Sequence, residues 1–144
     1  MQKLLVFAIL AFSISLSAQS SNWLEVIETN NVKNFEGYLY QNGEDINQCL
    51  EIKGGEYHPL AAAIKLESNL LIDHILNNQS LDLAAICTDK TILQYAVKYG
   101  NTPLVKQLIA AGADPHQLSK QGKSALDYAK KYEKTLITGV LKQY

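Results

Sequence analysis

Two cysteines and three histidines are the residues with the widest capacity for chemistry in this 144-residue chain. A cysteine beside a histidine can form a nucleophilic pair, and several such side chains together can bind zinc. Neither Cys49 nor Cys87 has a histidine within four residues, and the chain has no Cys-x-x-Cys motif. The spacing therefore predicts no catalytic residue, no metal site and no cofactor. We expect structural or solvent roles for His58, His74 and His116.

The first 18 residues have the composition of a secretory signal peptide. Lys3 precedes an apolar run from residue 4 to 16, and Ser17-Ala18-Gln19 supplies small residues for cleavage after Ala18. A bilayer-spanning helix needs about 20 apolar residues, so this run is too short for a membrane anchor. We expect residues 1–18 to be removed, which would leave residues 19–144 as a periplasmic or secreted domain without membrane attachment.

Export would place Cys49 and Cys87 in an oxidising compartment, where a disulfide between them can form. Two unpaired, partly buried thiols are the alternative, because Cα atoms more than about 7 Å apart cannot be bridged without backbone movement. A thiol-dependent or redox-active enzyme that uses Cys49 or Cys87 is a further hypothesis, which only the presence of these residues supports.

The charged residues argue against nucleic acid as a partner. All thirteen basic residues are Lys, and fourteen acidic residues give a formal net charge of −1. The planar guanidinium fork that recognises phosphate and guanine is therefore absent. Phosphate-binding glycine loops, zinc-protease motifs and nucleophile elbows are also missing from the sequence.

Three segments of the chain repeat at an interval of 33 residues. Each begins with a residue at a helix start, followed two positions later by Leu and five positions later by Ala. A fourth, more divergent copy begins near Asn22, so the expected units are about 22–57, 58–90, 91–123 and 124–144. The three segments are His58-Pro59-Leu60 with Ala63, Thr91-Ile92-Leu93 with Ala96, and Ser124-Ala125-Leu126 with Ala129.

The copy that begins at Thr91 indicates how each unit folds. Thr91 can accept a hydrogen bond from a backbone N–H group as an N-cap, and Gly100 can end the first helix. Thr102 is the expected cap of a second helix, with Pro103 in its first turn. An apolar stripe at helical spacing follows, and Gly112 suits a left-handed stop. Each unit is therefore predicted to contain two antiparallel helices and a projecting loop.

This 33-residue unit resembles the ankyrin repeat, whose signature includes a Thr-Pro-Leu-His-x-Ala start and a Gly-Ala-Asp close. The best matches are Thr91–Ala96 and Gly112–Asp114, and the resemblance covers about residues 22–142. It implies an all-α solenoid of about four helix-turn-helix units with projecting loops, in which the outer units are polar caps. The sequence departs from the signature at His58, Ala61, Gln94, Asp127 and residues 78–82.

Pairs of residues recur in register just after the core Ala of three units. In ankyrin arrays this position lies on the concave face, where partners usually bind, so the resemblance implies a binding ladder there. Tyr is favoured in interfaces because it combines a large rigid ring with a polar tip. The alternative is a solvated face on which the rings pack against Lys stems. The predicted partner-binding residues are Lys65, Leu66, Lys98, Tyr99, Lys131 and Tyr132.

The loop tips form a second candidate surface, although their mixed charges favour solvated hairpins. The first tip contains Glu51, Lys53, Glu56 and Tyr57. Taken together, these features predict an exported, monomeric, non-catalytic protein that binds another protein through its concave face and loop tips. Its role would be that of an inhibitor, an immunity protein or an accessory protein.

Overall fold

The computed structural model describes residues 22–144. The predicted signal peptide, residues 1–18, lies outside the described residues. Within residues 22–144 no helix combines the length and the apolar character that crossing a bilayer requires. The helices and strands of this part are α1 (Trp23–Glu28), α2 (Val32–Asn42), β1 (Leu50–Ile52), β2 (Gly55–Tyr57), α3 (Pro59–Lys65), α4 (Asn69–Leu76), α5 (Ile92–Tyr99), α6 (Thr102–Ala110), α7 (Ala125–Lys131) and α8 (Thr135–Leu141).

The helices form four consecutive pairs arranged in two layers. Each pair contains neighbours in the chain, from α1 with α2 to α7 with α8. In the inner layer α1 packs on α3, α3 on α5, and α5 on α7. In the outer layer α2 packs on α4, and α6 packs on α8. This arrangement confirms the predicted all-α solenoid of helix pairs, to which the described residues add a short β-hairpin.

Small residues in the inner layer allow the helices to stack closely, because a methyl side chain keeps neighbouring helix axes near each other. Leu60 and Leu93 are also buried, whereas Leu126 in the last helix pair is only partly buried. The fully buried alanines at equivalent positions are Ala63, Ala96 and Ala129.

A capping box begins α5, as the sequence predicts for Thr91. Its Oγ1 accepts a hydrogen bond from the Gln94 backbone N–H at 3.2 Å, and Gln94 Oε1 accepts one from the Thr91 N–H at 3.1 Å. Gln94 Nε2 also donates to the carbonyl oxygens of Gln117 and Lys123. Gln94 is fully buried and stands in place of the signature His, so it links the helix cap to the next loop.

The caps of α3 and α6 are not hydroxyl residues. His58 caps α3 through its imidazole, because the buried ring accepts a hydrogen bond at Nδ1 from the Leu60 N–H at 3.1 Å. The prediction that Thr102 caps α6 is wrong. Asn101 is the N-cap, and its Oδ1 accepts a hydrogen bond from the Leu104 N–H at 3.1 Å. Asn ranks above Thr as a cap, and Thr102 is instead the first residue of the helix.

The β-hairpin lies between α2 and α3. Its strands are antiparallel, with Leu50 opposite Tyr57. Lys53 and Gly54 form the tip, with φ angles of 50° and 75°. Positive φ at both central residues is what a type I′ turn requires, and that turn matches the twist of the two strands.

A disulfide joins the hairpin region to the loop before α5. Cys49, which precedes β1, is bonded to Cys87, and their Cα atoms are 5.6 Å apart. Thr88 Oγ1 donates a hydrogen bond to the Glu56 carbonyl, and Lys120 Nζ donates one to the Cys87 carbonyl at 3.2 Å. The projecting loops of the first three units are therefore connected to one another.

Aspartate turns recur after three of the outer helices. Asp45, Asp82 and Asp114 each accept a hydrogen bond at Oδ1 from the backbone N–H two residues later, at distances of 2.7 to 2.9 Å. Residues 78–82 lack the Gly-Ala-Asp sequence, but Asp82 forms the same local turn as the other two. The departure from the signature at this point leaves the turn intact.

Candidate functional site: the inner surface

The predicted partner-binding residues lie at the C-terminal ends of three inner helices. Lys65 and Lys131 are the last residues of α3 and α7, and Lys98 and Tyr99 are the last two of α5. The helix ends lie in one row because α3 packs on α5 and α5 packs on α7. This row and the adjoining loop residues are termed the inner surface. It consists of Tyr57, Lys65, Lys90, Lys98, Tyr99 and Lys131.

Tyr99 has the most accessible aromatic ring of the inner surface, with 37% of the residue exposed. Lys98 Nζ lies 5.4 Å from the centroid of this ring. A cleft of about 160 Å³ lies beside it, bordered in part by Ile64 and Ile72. The cleft is also bordered by Glu67, Asn69 and Asn101, so a partner side chain that enters it would contact the Tyr99 ring together with apolar and polar groups.

Leu66 and Tyr132 differ from the other predicted binding residues because they pack against the core. The Tyr132 ring stacks on that of the fully buried Tyr128, with centroids 5.9 Å apart and planes inclined by 12°. Lys131 Nζ lies 5.6 Å from the Tyr132 ring and is the exposed member of this pair. Leu66 and Tyr132 therefore contribute to the stability of the array.

Tyr57 enters the inner surface from the hairpin; the sequence places it in the loop-tip surface and not among the helix residues predicted to bind. Its sequence position suggests a solvated loop tip, but the structure shows a half-buried side chain. Lys65 Nζ donates a hydrogen bond to the Tyr57 hydroxyl at 2.6 Å and lies 4.1 Å from its ring centroid. The Tyr57 ring lies 5.8 Å from the ring of Tyr95. These contacts connect the hairpin to α3 and α5.

Lys90 comes from the loop before α5, which is the next loop tip of the second candidate surface, and it too lies outside the predicted ladder of helix residues. Its Nζ lies 6.0 Å from the Tyr95 ring and 5.1 Å from the Tyr128 ring, and it pairs with the Asp89 carboxylate. Burial lowers the pKa of Lys90, but Asp89 and the nearby tyrosines together more than offset this, so the net shift is upward. Lys90 is thus a fixed positive charge whose side chain is 10% exposed.

A 33-residue register in the sequence links these two loop residues to the helix caps. Tyr57, Lys90 and Lys123 each immediately precede a helix cap and are 33 residues apart. Comparing the residues that follow the core Ala in each unit identifies only residues on or next to the helices. Comparing the residue before each helix cap, again at intervals of 33, identifies the loop residues Tyr57 and Lys90.

The electrostatic environment of Tyr99 extends across several units. Burial raises the pKa of its phenol, and the charges of Lys65 and Lys90 act in the opposite direction. Tyr57 and Tyr132 add to the upward shift. These groups come from the ends of α3 and α7, from the hairpin and from the loop before α5.

The cysteines and histidines occupy other places in the fold. Cys49 and Cys87 form the disulfide, so neither sulfur is a thiolate nucleophile in this structure. His58 is a helix cap, and His74 Nε2 lies 3.1 Å from a Glu36 carboxylate oxygen. Within residues 22–144, His, Cys, Asp and Glu side chains do not gather in groups of three or more that could hold a metal ion.

Comparison with known families completes this description. A sequence model of ankyrin repeats, with three copies, matches residues 60–141. The match covers more than half of the chain and includes the three helix pairs that carry most of the inner surface. Ankyrin repeats generally act as protein–protein interaction modules and are typically non-catalytic. From this match and the stacked helix pairs we conclude that the chain belongs to the ankyrin-repeat family.

Proposed function

We propose that this protein is an exported, non-catalytic module that binds one protein partner through the inner surface and the adjoining loops. The observation that supports the proposal best is the exposed Tyr99 ring, which borders an open cleft and has Lys98 Nζ 5.4 Å from its centroid. Rigid aromatic rings at the centre of a surface are common binding hot spots. Binding would inhibit, protect or assist the partner.

Two features favour an exported protein. Residues 1–18 match a secretory signal peptide, and Cys49 and Cys87 form a disulfide of the kind that persists in oxidising compartments. The polar residues of the outer units favour a monomer, because they leave the ends of the stack suited to water.

Site-specific cross-linking tests the proposed surface. A photoreactive phenylalanine analogue would replace Tyr99 in one variant and Tyr40 in the other. Tyr40 lies on the outer helix α2 and is 88% exposed, so it is the more accessible position. Both proteins would be expressed in the native host and recovered outside the cytoplasm, where the mature chain should begin at Gln19. We expect one cross-linked protein from position 99 and none from position 40.

Affinity for the captured protein provides the quantitative measurement. We expect Tyr99→Ala to weaken binding about tenfold or more, because a central aromatic anchor is lost, and Tyr40→Ala to change it less than about twofold. Tyr132 is left unchanged, since its contact with Tyr128 would confuse folding with binding. Equal cross-linking from both positions, or undiminished binding by Tyr99→Ala, would show that the partner binds elsewhere.

A further inference from the structure

Three of the four inner helices carry a positive charge that the chain as a whole does not, whereas the fourth, α1, contains Glu25 and Glu28. Helices α3, α5 and α7 contain four Lys and one Asp, a formal charge of +3, whereas the whole chain has a charge of −1. The single acid, Asp127, is engaged in the cap of α7, where its Oδ2 accepts hydrogen bonds from the Ser124 N–H and hydroxyl. The four lysines are Lys65, Lys98, Lys130 and Lys131.

Four acids lie near these lysines. Asp89 is paired with Lys90, and both side chains are largely buried. Glu56 is exposed on the hairpin, and Glu67 and Glu133 are exposed in the turns after α3 and α7. At the helix ends themselves Lys65 and Lys98 are half-buried and Lys131 is exposed, so three lysines form a positive stripe beside the Tyr99 ring.

The spacing of the stripe indicates what could bind to it. Packed helices lie about 8 to 10 Å apart, so Lys65, Lys98 and Lys131 succeed one another at about that interval. An extended peptide in the polyproline II conformation has three residues per turn and advances about 3.1 Å per residue, so every third side chain lies on one face at intervals of about 9 Å. A segment of about seven such residues could place three carboxylates on the three lysines.

We infer that the partner presents an extended acidic protein segment to the inner surface. Its carboxylates pair with Lys65, Lys98 and Lys131, and an apolar side chain between them contacts the Tyr99 ring. The inference rests on the proposed function and names the chemical class of the partner. An acidic peptide fits better than a nucleic acid because the chain has no Arg to form bidentate contacts with phosphate.

Fluorescence anisotropy with a defined probe tests the inference. The probe is a short fluorescein-labelled poly-L-glutamate, measured at about 20 mM and about 300 mM NaCl, where screening differs strongly. We expect binding that weakens with salt. The triple variant Lys65→Gln, Lys98→Gln, Lys131→Gln should bind about tenfold more weakly at low salt, because three opposite charges are lost.

A matched triple variant separates the stripe from net charge. Lys33→Gln, Lys106→Gln and Lys142→Gln remove the same charge from exposed positions of the outer layer and the end of α8, and should change the affinity less than about twofold. The inner triple variant with Arg in place of Gln should restore salt-sensitive binding. Thermal melting of all variants would show that each is folded.

Three results would overturn the inference. These are equal weakening in both Gln variants, failure of the wild type to bind poly-L-glutamate at low salt, and tighter binding of an oligothymidylate of the same length. Each result would leave the proposed function standing if position 99 still cross-links to a protein. Loss of that cross-link, with binding of poly-L-glutamate retained, would instead overturn the proposed function.

Discussion

His58 is a buried histidine that replaces the usual hydroxyl at the start of an ankyrin helix. Nδ1 must be unprotonated to accept the Leu60 N–H, and Nε2 lies 3.4 Å from Asn47 Oδ1. Burial lowers the pKa of His58 to about 4, although Asp82 and Asp45 act in the opposite direction. Protonation would therefore remove the cap and place a charge in the core.

Stability should depend on pH through this residue. The unfolded imidazole titrates near pH 6.5 and the folded one near 4, so the unfolded chain binds more protons between these values. The contribution of His58 is present above pH 6.5 and is lost as the pH falls towards 4. His58→Thr keeps a capping side chain but does not titrate in this range. Between pH 7 and 4.5 the wild type should lose about 2 kcal/mol more of its free energy of unfolding than this variant, as measured by chemical denaturation. Equal losses in wild type and variant would contradict this role.

The role of an individual residue could be predicted from the sequence where the residue is of a type that commonly has that role. Thr91 and Ser124 are common cap residues, and both form the predicted caps. The imidazole cap at His58 was not predictable, because His does not ordinarily accept this bond. Asn101 and Thr102 are both suitable caps in adjacent positions, and only the three-dimensional path of the chain shows that Asn101 is used.

The turns between paired helices share a left-handed residue at equivalent positions. After α5 this residue is Gly100, with φ of 75°, but the corresponding residues after α3 and α7 are Glu67 and Glu133, with φ of 56° and 55°. A side chain in this region crowds the backbone, and glycine does not. The turns after α3 and α7 therefore carry a backbone strain that the turn after α5 does not.

Glycine substitutions in these turns should stabilise the protein. We expect Glu67→Gly and Glu133→Gly each to raise the free energy of unfolding by about 1 kcal/mol, because the strain of a side chain at positive φ is removed. Urea denaturation would measure the change. Glu67→Ala is the matched control, since it removes the same charge but keeps a Cβ atom. A gain of equal size in the alanine variant would mean that charge, and not backbone conformation, is responsible.

Elements inside the repeat were easier to predict than the residues between repeats. The 33-residue interval determines the helices, because each copy reproduces the same apolar spacing and stops. Tyr57 and Lys90 reach the inner surface from a hairpin and a loop, whose direction depends on contacts with other units. The disulfide was undecided for the same reason, because the distance between Cys49 and Cys87 is determined by how two units stack.

At the scale of the whole molecule, the disulfide is the main covalent constraint on the array. It closes a loop of 38 residues that includes the hairpin and the second helix pair. Cross-links of this span stabilise proteins mainly by restricting the unfolded chain. The connection therefore adds to the stability that neighbouring units gain from packing.

Removal of the disulfide should lower stability substantially. We expect Cys49→Ser with Cys87→Ala to reduce the free energy of unfolding by about 3 to 4 kcal/mol, the value for a loop of this length. Denaturation of the wild type with and without a reducing agent should give a similar difference. The double variant should itself be insensitive to the reducing agent. A loss below about 1 kcal/mol would show that packing alone holds the first two units together.

The disulfide lies near the N-terminal end of the stack, so the two ends of the stack are not equally stable. In repeat proteins each unit is held mainly by its neighbours, so unfolding begins at whichever end is less firmly attached. The first two units share a covalent bond, whereas the unit containing α7 and α8 is held to the stack by non-covalent contacts. The array should therefore fray from its C-terminal end, and the Tyr99 region lies between the firm end and the end that opens first.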